Sequence, residues 1–267
     1  MATANEAWIA LLNKMLDAPT CNPRGMLVRE ELAYTSIVDM KYPIVTVCER
    51  KLGYKFMPAE ARWIITGDNR VATIAPYSKV IEQFSDDGMR FNGAYGPRVV
   101  DQLNYVCDML LKDNDTRQAV MTIWRPNPRP SKDIPCTVAI QWTIRDGVIN
   151  CHDTMRSSDA WLGWPYDVFN FTMLTGYIML MLRNRGLTDL TLGNLYLTAG
   201  SQHLYQRNWE KAGDVLYSEI RTWEYEPFNP YDFTSQCQLV EQLRGLAHGR
   251  IIECPTNFMT EVFVRED

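Results

Sequence analysis

Only three histidines occur in this chain, and none lies beside a pair of cysteines. A tetrahedral structural zinc site needs four closely spaced Cys or His donors, so no metal is expected. The seven cysteines, Cys21, Cys48, Cys107, Cys136, Cys151, Cys237 and Cys254, form no C-x-x-C pair. An odd count without a secretory leader points to reduced thiols and a cytoplasmic setting. Residues 1–13 show no basic stretch followed by an apolar one, so no signal peptide is expected. A basic surplus is also missing: 27 Lys and Arg stand against 32 Asp and Glu, a net charge of -5. Duplex binding depends on phosphate neutralisation, so no direct nucleic-acid partner is expected, while a local basic pocket for one phosphate remains compatible. The most apolar run, 168–182, contains Asn170, Thr172, Thr175 and Gly176 and stops at Arg183. It is too short and too polar to cross a membrane and reads as a buried helix.

What is present is ordinary globular composition, 46% hydrophobic and 22% charged over 267 residues, with no repeat or long linker. A single catalytic domain over 1–267 is expected. Apolar positions at helical spacing predict helices over 7–16, 57–66, 99–112 and 164–183. Gly67-Asp68-Asn69 marks a stop after the second, and Pro165 opens the last. Strands are expected over 42–47, 119–124, 136–145, 148–154 and 190–198, with Asp146-Gly147 as a hairpin turn, and a helix over 204–213. Residues 125–133 hold three prolines and basic side chains and read as a loop. Strands and helices mix without regular alternation, so the class is α+β.

The chemistry gathers in Asp133-Ile-Pro-Cys136, Arg156-Ser-Ser-Asp159, Leu162-Gly-Trp-Pro-Tyr-Asp167 and Gly200-Ser-Gln-His-Leu-Tyr205. Cys136 follows Pro135 at a loop-to-strand junction, with Arg125, Arg129 and Arg156 as nearby guanidinium groups. A thiol near such groups is expected to have a lowered pKa and to act as a nucleophile. On local sequence alone, a small buried hydrophobe is the commoner role of a free cysteine. Arg156 with Ser157 offers a planar fork and a hydroxyl that suit a phosphate, or simply a structural ion pair. His203 and Tyr205 converge on one sugar hydroxyl if their segment is extended, and only pack if it is helical.

In order and spacing these blocks resemble the thymidylate synthase family. The resemblance runs from Pro135-Cys136 through Gln141-Trp142, Arg156-Ser157-Ser158-Asp159 and Leu162-Gly163-Trp164-Pro165-Tyr166 to His203-Leu204-Tyr205. Upstream, Tyr95-Gly96, Glu60 with Trp63 and Gly67-Asp68, and Arg24-Gly25 look like further family motifs, so the likeness covers roughly residues 5–225. It implies a mixed sheet packed with helices and a homodimer formed through a sheet face, with shared active sites. It also implies methylenetetrahydrofolate as co-substrate and a nucleotide as substrate. Cys136 would add to C6 of the pyrimidine, Glu60 would manage protons, and Tyr95 would assist proton removal at C5. Arg24, Arg156 and Ser157 would hold the phosphate, joined by Arg117 from the partner subunit. His203 and Tyr205 would bind the 3′-hydroxyl. Asp159, Gly163, Ile81 and Phe84 would lie toward the folate.

Departures from the family sharpen the reading. The position of Asp167 is asparagine in thymidylate synthases. Cytosine presents an N4 amino donor and an N3 acceptor, which a carboxyl group meets by accepting from N4 and donating to N3, or by pairing with an N3-protonated ring. Asp167 is therefore a cytosine signal, shared with the deoxycytidylate hydroxymethylases of the family. Ile81 and Phe84 stand where the family carries two tryptophans, and the tail 257–267 has no clear match to the family's closing segment. Both point to water rather than hydride completing the reaction. Gln118 replaces a second phosphate arginine, and Thr137 replaces a histidine after the nucleophile. The expected activity is transfer of a one-carbon unit to dCMP, giving 5-hydroxymethyl-dCMP, as in a bacteriophage DNA-modification route. Methylation of dCMP, use of CMP, and a retired nucleotide-binding homologue are the alternatives.

Overall fold

A computed structural model describes residues 1–250 and Phe263. Helix α1 (Ala4–Asp17) starts at Thr3, whose hydroxyl accepts from the Glu6 N–H while the Glu6 carboxylate accepts from the Thr3 N–H at 2.8 Å. This reciprocal cap satisfies amides that a helix start leaves unpaired. It presents Trp8, Leu11, Leu12 and Met15 to the core. The remaining helices are α2 (Phe56–Ile65), α3 (Val71–Ile74), α4 (Tyr95–Lys112), α5 (Trp164–Asn184), α6 (Trp209–Tyr217) and α7 (Gln236–Ala247). Helix α2 ends at Gly67, whose positive φ of 77° closes the last turn. Helix α5 is buried on nearly every side, as its apolar run implies, and no described helix is long and apolar enough to cross a membrane.

The strands are β1 (Thr20–Cys21), β2 (Val28–Asp39), β3 (Val120–Thr122), β4 (Thr137–Arg145), β5 (Val148–Asp159) and β6 (Thr191–Tyr205). They form one six-stranded sheet in the order β1-β2-β6-β5-β4-β3. Every pairing is antiparallel except β5 with β6, where α5 supplies the crossover that a parallel pair requires. The result is the mixed, helix-packed α+β sheet expected. Helices α1, α4 and α5 pack against one face. Across that face runs a buried row, Ser36, Leu197, Asp153 and Ile140. The other face carries the adjacent row Ile37, Tyr196 and His152, with the two rings stacked at 4.8 Å and Ile37 exposed.

Local expectations failed where side chains took over backbone pairing. Residues 42–47 form no strand, because Pro43 has no N–H and its neighbours pair elsewhere. The Tyr225 hydroxyl accepts from the Ile44 N–H at 2.8 Å, and Asn5 Oδ1 accepts from the Thr46 N–H at 2.7 Å. The helix expected over 204–213 starts only at Trp209, because β6 runs on to Tyr205 by pairing with β2. Strand β5 extends to Asp159, past the end expected at residue 154, and β3 spans only Val120–Thr122. Strand β2 has no counterpart among the strands expected from patterning.

Candidate active site

The start of β4 and the ends of β5 and β6 lie at one end of the sheet, since Thr137 pairs with Met155 and Asp159 with His203. The first turns of α4 and α5, with Tyr95 and Asp167, reach the same place: both side chains line one cavity of about 190 Å³ together with Cys136 and Glu60. Trp63, Ile81, Phe84 and Phe91 give the same cavity an apolar wall.

Cys136 Sγ is 3.8 Å from Arg156 Nη2 and 3.9 Å from Ser157 Oγ. Arg156 is held in place by donating to the Pro135 and Ile134 carbonyls, each at 3.0 Å, and to Ser157 Oγ at 3.0 Å. The lowered thiol pKa expected from sequence is not found. Burial pushes the Cys136 thiol up, with Asp167 adding to the rise, and Arg156 offsets only part of it. Arg125 and Arg129 do not join the nucleophile. They line a separate cavity of about 270 Å³ with Arg98, which shares the Ile134-Pro135 wall but not Cys136.

Around the thiol stand three acidic groups whose ionisation burial holds back. Glu60 is pushed up to about 7 by burial, against the pull of the Asn170 amide, which donates to Glu60 Oε2 at 2.8 Å. Asp167 is held well above the usual carboxylate range, first by burial and then by Glu60 and Asp159. Tyr95 is likewise raised by burial, Cys136 and Asp167, and its hydroxyl accepts from the Thr137 N–H at 3.1 Å. Two carboxyl groups with ionisation held back in one cavity suit proton transfer near neutral pH.

The other sequence-assigned residues divide by location. His203 and Tyr205 lie in an extended strand and not in a helix, so their rings fall on one side, with centroids 5.1 Å apart. Arg24 sits in the turn joining β1 to β2, beyond the Val28–Tyr205 pair, and so belongs to the same end of the sheet. It adopts a left-handed conformation, φ 54°, followed by Gly25 at 76°. Asp159 and Gly163 do not line the cavity. Asp159 Oδ1 accepts from the Trp161 and Leu162 N–H groups, while its Oδ2 is buried and unpartnered. A Cβ at Gly163 would lie 3.3 Å from Asp167 Oδ2, so glycine there leaves room for the carboxyl group. Arg117 is remote: its carbonyl accepts from Gln141 Nε2, five residues along β4 from Cys136, about 16 Å away at the usual strand rise. The tail 257–267 lies, apart from Phe263, outside the described residues.

Asn170 escaped the sequence reading although it lines the cavity and holds Glu60. Its place three residues after Asp167 on a helix puts both on one face, which is the signal that could have found it. Among the described residues no group of three or more His, Cys, Asp or Glu could hold a metal ion.

The family profile described as thymidylate synthase matches residues 24–227, well over half of the chain and every residue that lines the cavity. The chain therefore belongs to the thymidylate synthase family, one-carbon transferases that act at C5 of a pyrimidine with methylenetetrahydrofolate as co-substrate.

Proposed function

We propose that the protein transfers a one-carbon unit to C5 of dCMP and finishes by adding water, giving 5-hydroxymethyl-dCMP. The observation that carries this reading is Asp167, a half-buried carboxyl group that lines the catalytic cavity where the family has an amide, its pKa pushed well above the usual carboxylate range.

Cys136 Sγ adds to C6, with Arg156 at 3.8 Å to favour the thiolate as it forms. The ring electrons displaced from C5=C6 pass through C4 to N3, which takes the proton of Asp167. The resulting carboxylate faces N3–H and N4–H together, a paired charge-assisted contact of the kind a guanidinium makes. Uracil, with a carbonyl oxygen in place of the N4 amino group, has no second donor for that fork. C5 then carries the electron pair that bonds to the one-carbon unit, which methylenetetrahydrofolate supplies. Tyr95 assists loss of the C5 proton, and the bond between the one-carbon unit and tetrahydrofolate then breaks to leave an exocyclic methylene. Glu60, near 7, takes a proton from the water that adds to this methylene, and Cys136 leaves C6 as N3 returns its proton to Asp167.

Arg156, Ser157 and Arg24 receive the phosphate in this reading, and His203 and Tyr205 the 3′-hydroxyl. The apolar wall of Ile81 and Phe84 suits the flat rings of the folate, and the unpartnered Asp159 Oδ2 suits a ring N–H. Arg117 lies too far along β4 to serve its own Cys136, so it acts in the site of a second copy, docked through the sheet face that bears Ile37 and Tyr196.

The test is incubation with methylenetetrahydrofolate and equal amounts of dCMP, dUMP and CMP, followed by mass spectrometry. Hydroxymethylated dCMP is expected. Methylated dCMP keeps the base assignment and overturns water addition. A dUMP product overturns the role of Asp167, a CMP product the choice of sugar, and no product supports a retired homologue.

A further inference from the structure

Behind the reactive wall, a buried carboxyl group faces a buried hydroxyl without a formed hydrogen bond between them. Asp153 sits mid-sheet on β5, between Ile140 of β4 and Leu197 of β6, and is 1% exposed. Neither of its oxygens makes a hydrogen bond, and no ion pair among the described residues involves it. Thr137 is fully buried as well, and its hydroxyl is also without a partner.

An irregularity in the sheet turns Thr137 toward this carboxyl group. The register of β4 against β5 shifts between Thr137 and Ala139. The extra residue, Val138, has a carbonyl that accepts from both the Ile123 and Trp124 N–H groups. Inward positions on β4 are Ile140, Trp142 and Ile144. An unbroken alternation would bring Val138 inward and turn Thr137 out, and the bulge reverses this. Thr137 immediately follows Cys136, and its N–H is the group that holds the Tyr95 hydroxyl.

Two apolar side chains would fill the same space without penalty, whereas each buried, unpaired polar group costs on the order of 1–3 kcal/mol. Packing alone therefore gives no reason for this pair. Burial, followed by the nearby Asp167, drives Asp153 well above the usual carboxylate range, and the Thr137 hydroxyl is the group that favours its charge. A neutral carboxyl group has one O–H donor and a carbonyl acceptor, which matches the acceptor and donor of a hydroxyl.

We propose that Asp153 and Thr137 close into a buried hydrogen-bonded pair when the nucleotide is seated, fixing the Thr137 backbone and so positioning the Tyr95 hydroxyl for removal of the C5 proton. Asp153 is thus a positioning residue that acts through Thr137 and does not touch substrate. The inference rests on the assignment of Tyr95 made above, but not on which base or product is used.

Tritium release from [5-³H]dCMP and, separately, [5-³H]dUMP reads loss of the C5 proton directly. Asp153→Leu and Thr137→Val should each slow release about tenfold, the equivalent of one net hydrogen bond. KM and the rate of Cys136 alkylation by iodoacetamide should stay unchanged. Asp153→Asn retains a donor and an acceptor and should stay within about threefold of wild type. The Asp153→Leu/Thr137→Val double variant should be no slower than either single change. Infrared difference spectra between wild type and Asp153→Asn should show a protonated carboxyl stretch, a readout that needs no turnover. Additive losses in the double variant, a fall in melting temperature with unchanged release, or a carboxylate band in place of the carboxyl stretch overturns the proposal. Release from dUMP alone overturns the cytosine assignment while still reading the Tyr95 step.

Discussion

Replacing Asp167 by asparagine exchanges the ionisable O–H for an amide NH2 and keeps the side-chain shape. Burial, with Glu60 and Asp159 nearby, pushes the pKa of Asp167 well above the usual carboxylate range, which favours the form that can pass its proton to N3 and remain as an anion facing two N–H donors. An amide cannot give up a proton in this way. The variant therefore forgoes two hydrogen bonds to a charged group, each worth about 1.5–3 kcal/mol in a buried setting. Together they amount to roughly 3–6 kcal/mol of transition-state stabilisation, or a fall of about 10² to 10⁴ in kcat/KM for dCMP. The fall should appear in kcat more than in KM, because the charged pair forms only as Cys136 adds to the ring. Activity toward dUMP should be unchanged or higher, since an amide can donate to O4 and accept from N3–H. The assay is kcat/KM for both nucleotides with methylenetetrahydrofolate, with products separated by liquid chromatography and mass spectrometry. A dCMP-to-dUMP preference that moves by less than about threefold, well under one hydrogen bond, refutes the assignment of Asp167 as the group that reads the base.

Cys136→Ser should lower turnover by at least about 10³-fold while nucleotide still binds in calorimetry, and retained turnover would sink the covalent mechanism. Mixing that variant with Arg117→Ala should restore about a quarter of wild-type activity, because random dimers then contain one complete shared site in half of cases. No recovery, or a stable active monomer in sedimentation, removes the cross-subunit role. Glu60 should also leave a mark on stability. Its pKa rises from 4.5 unfolded to about 7 folded, so its contribution is full below pH 4.5 and lost as pH climbs to 7. Glu60→Gln should remove that decline, about 3 kcal/mol at full effect, in urea titrations across this range, and an unchanged pH slope refutes the assignment.

Residues that sit next to one another in the chain, or at helical spacing, were readable without the fold. The ordered blocks around Cys136, Arg156 and Asp167 were enough to identify the family and to place Asp133, Ile134, Pro135, Cys136 and Asp167 on the cavity wall. The helices over 57–66, 99–112 and 164–183 followed from period and stop signals, because their apolar faces are defined within each segment. Strand β2 and the full lengths of β5 and β6 were not readable, since what ends a strand is its neighbour: β6 reaches Tyr205 only because β2 offers a partner there. The protonation of the site also belongs to the tertiary structure. From sequence, arginines near Cys136 promised a lowered thiol pKa. In the fold, Arg125 and Arg129 turn to another cavity and burial outweighs Arg156. Asp153 and Thr137 are sixteen residues apart, and only strand pairing and one bulge bring them together. Identity, and the base that Asp167 is proposed to read, were set by residue types at fixed spacing. The energies of the charged groups were set by desolvation, which depends on everything packed around a group and so appears only once the chain has folded.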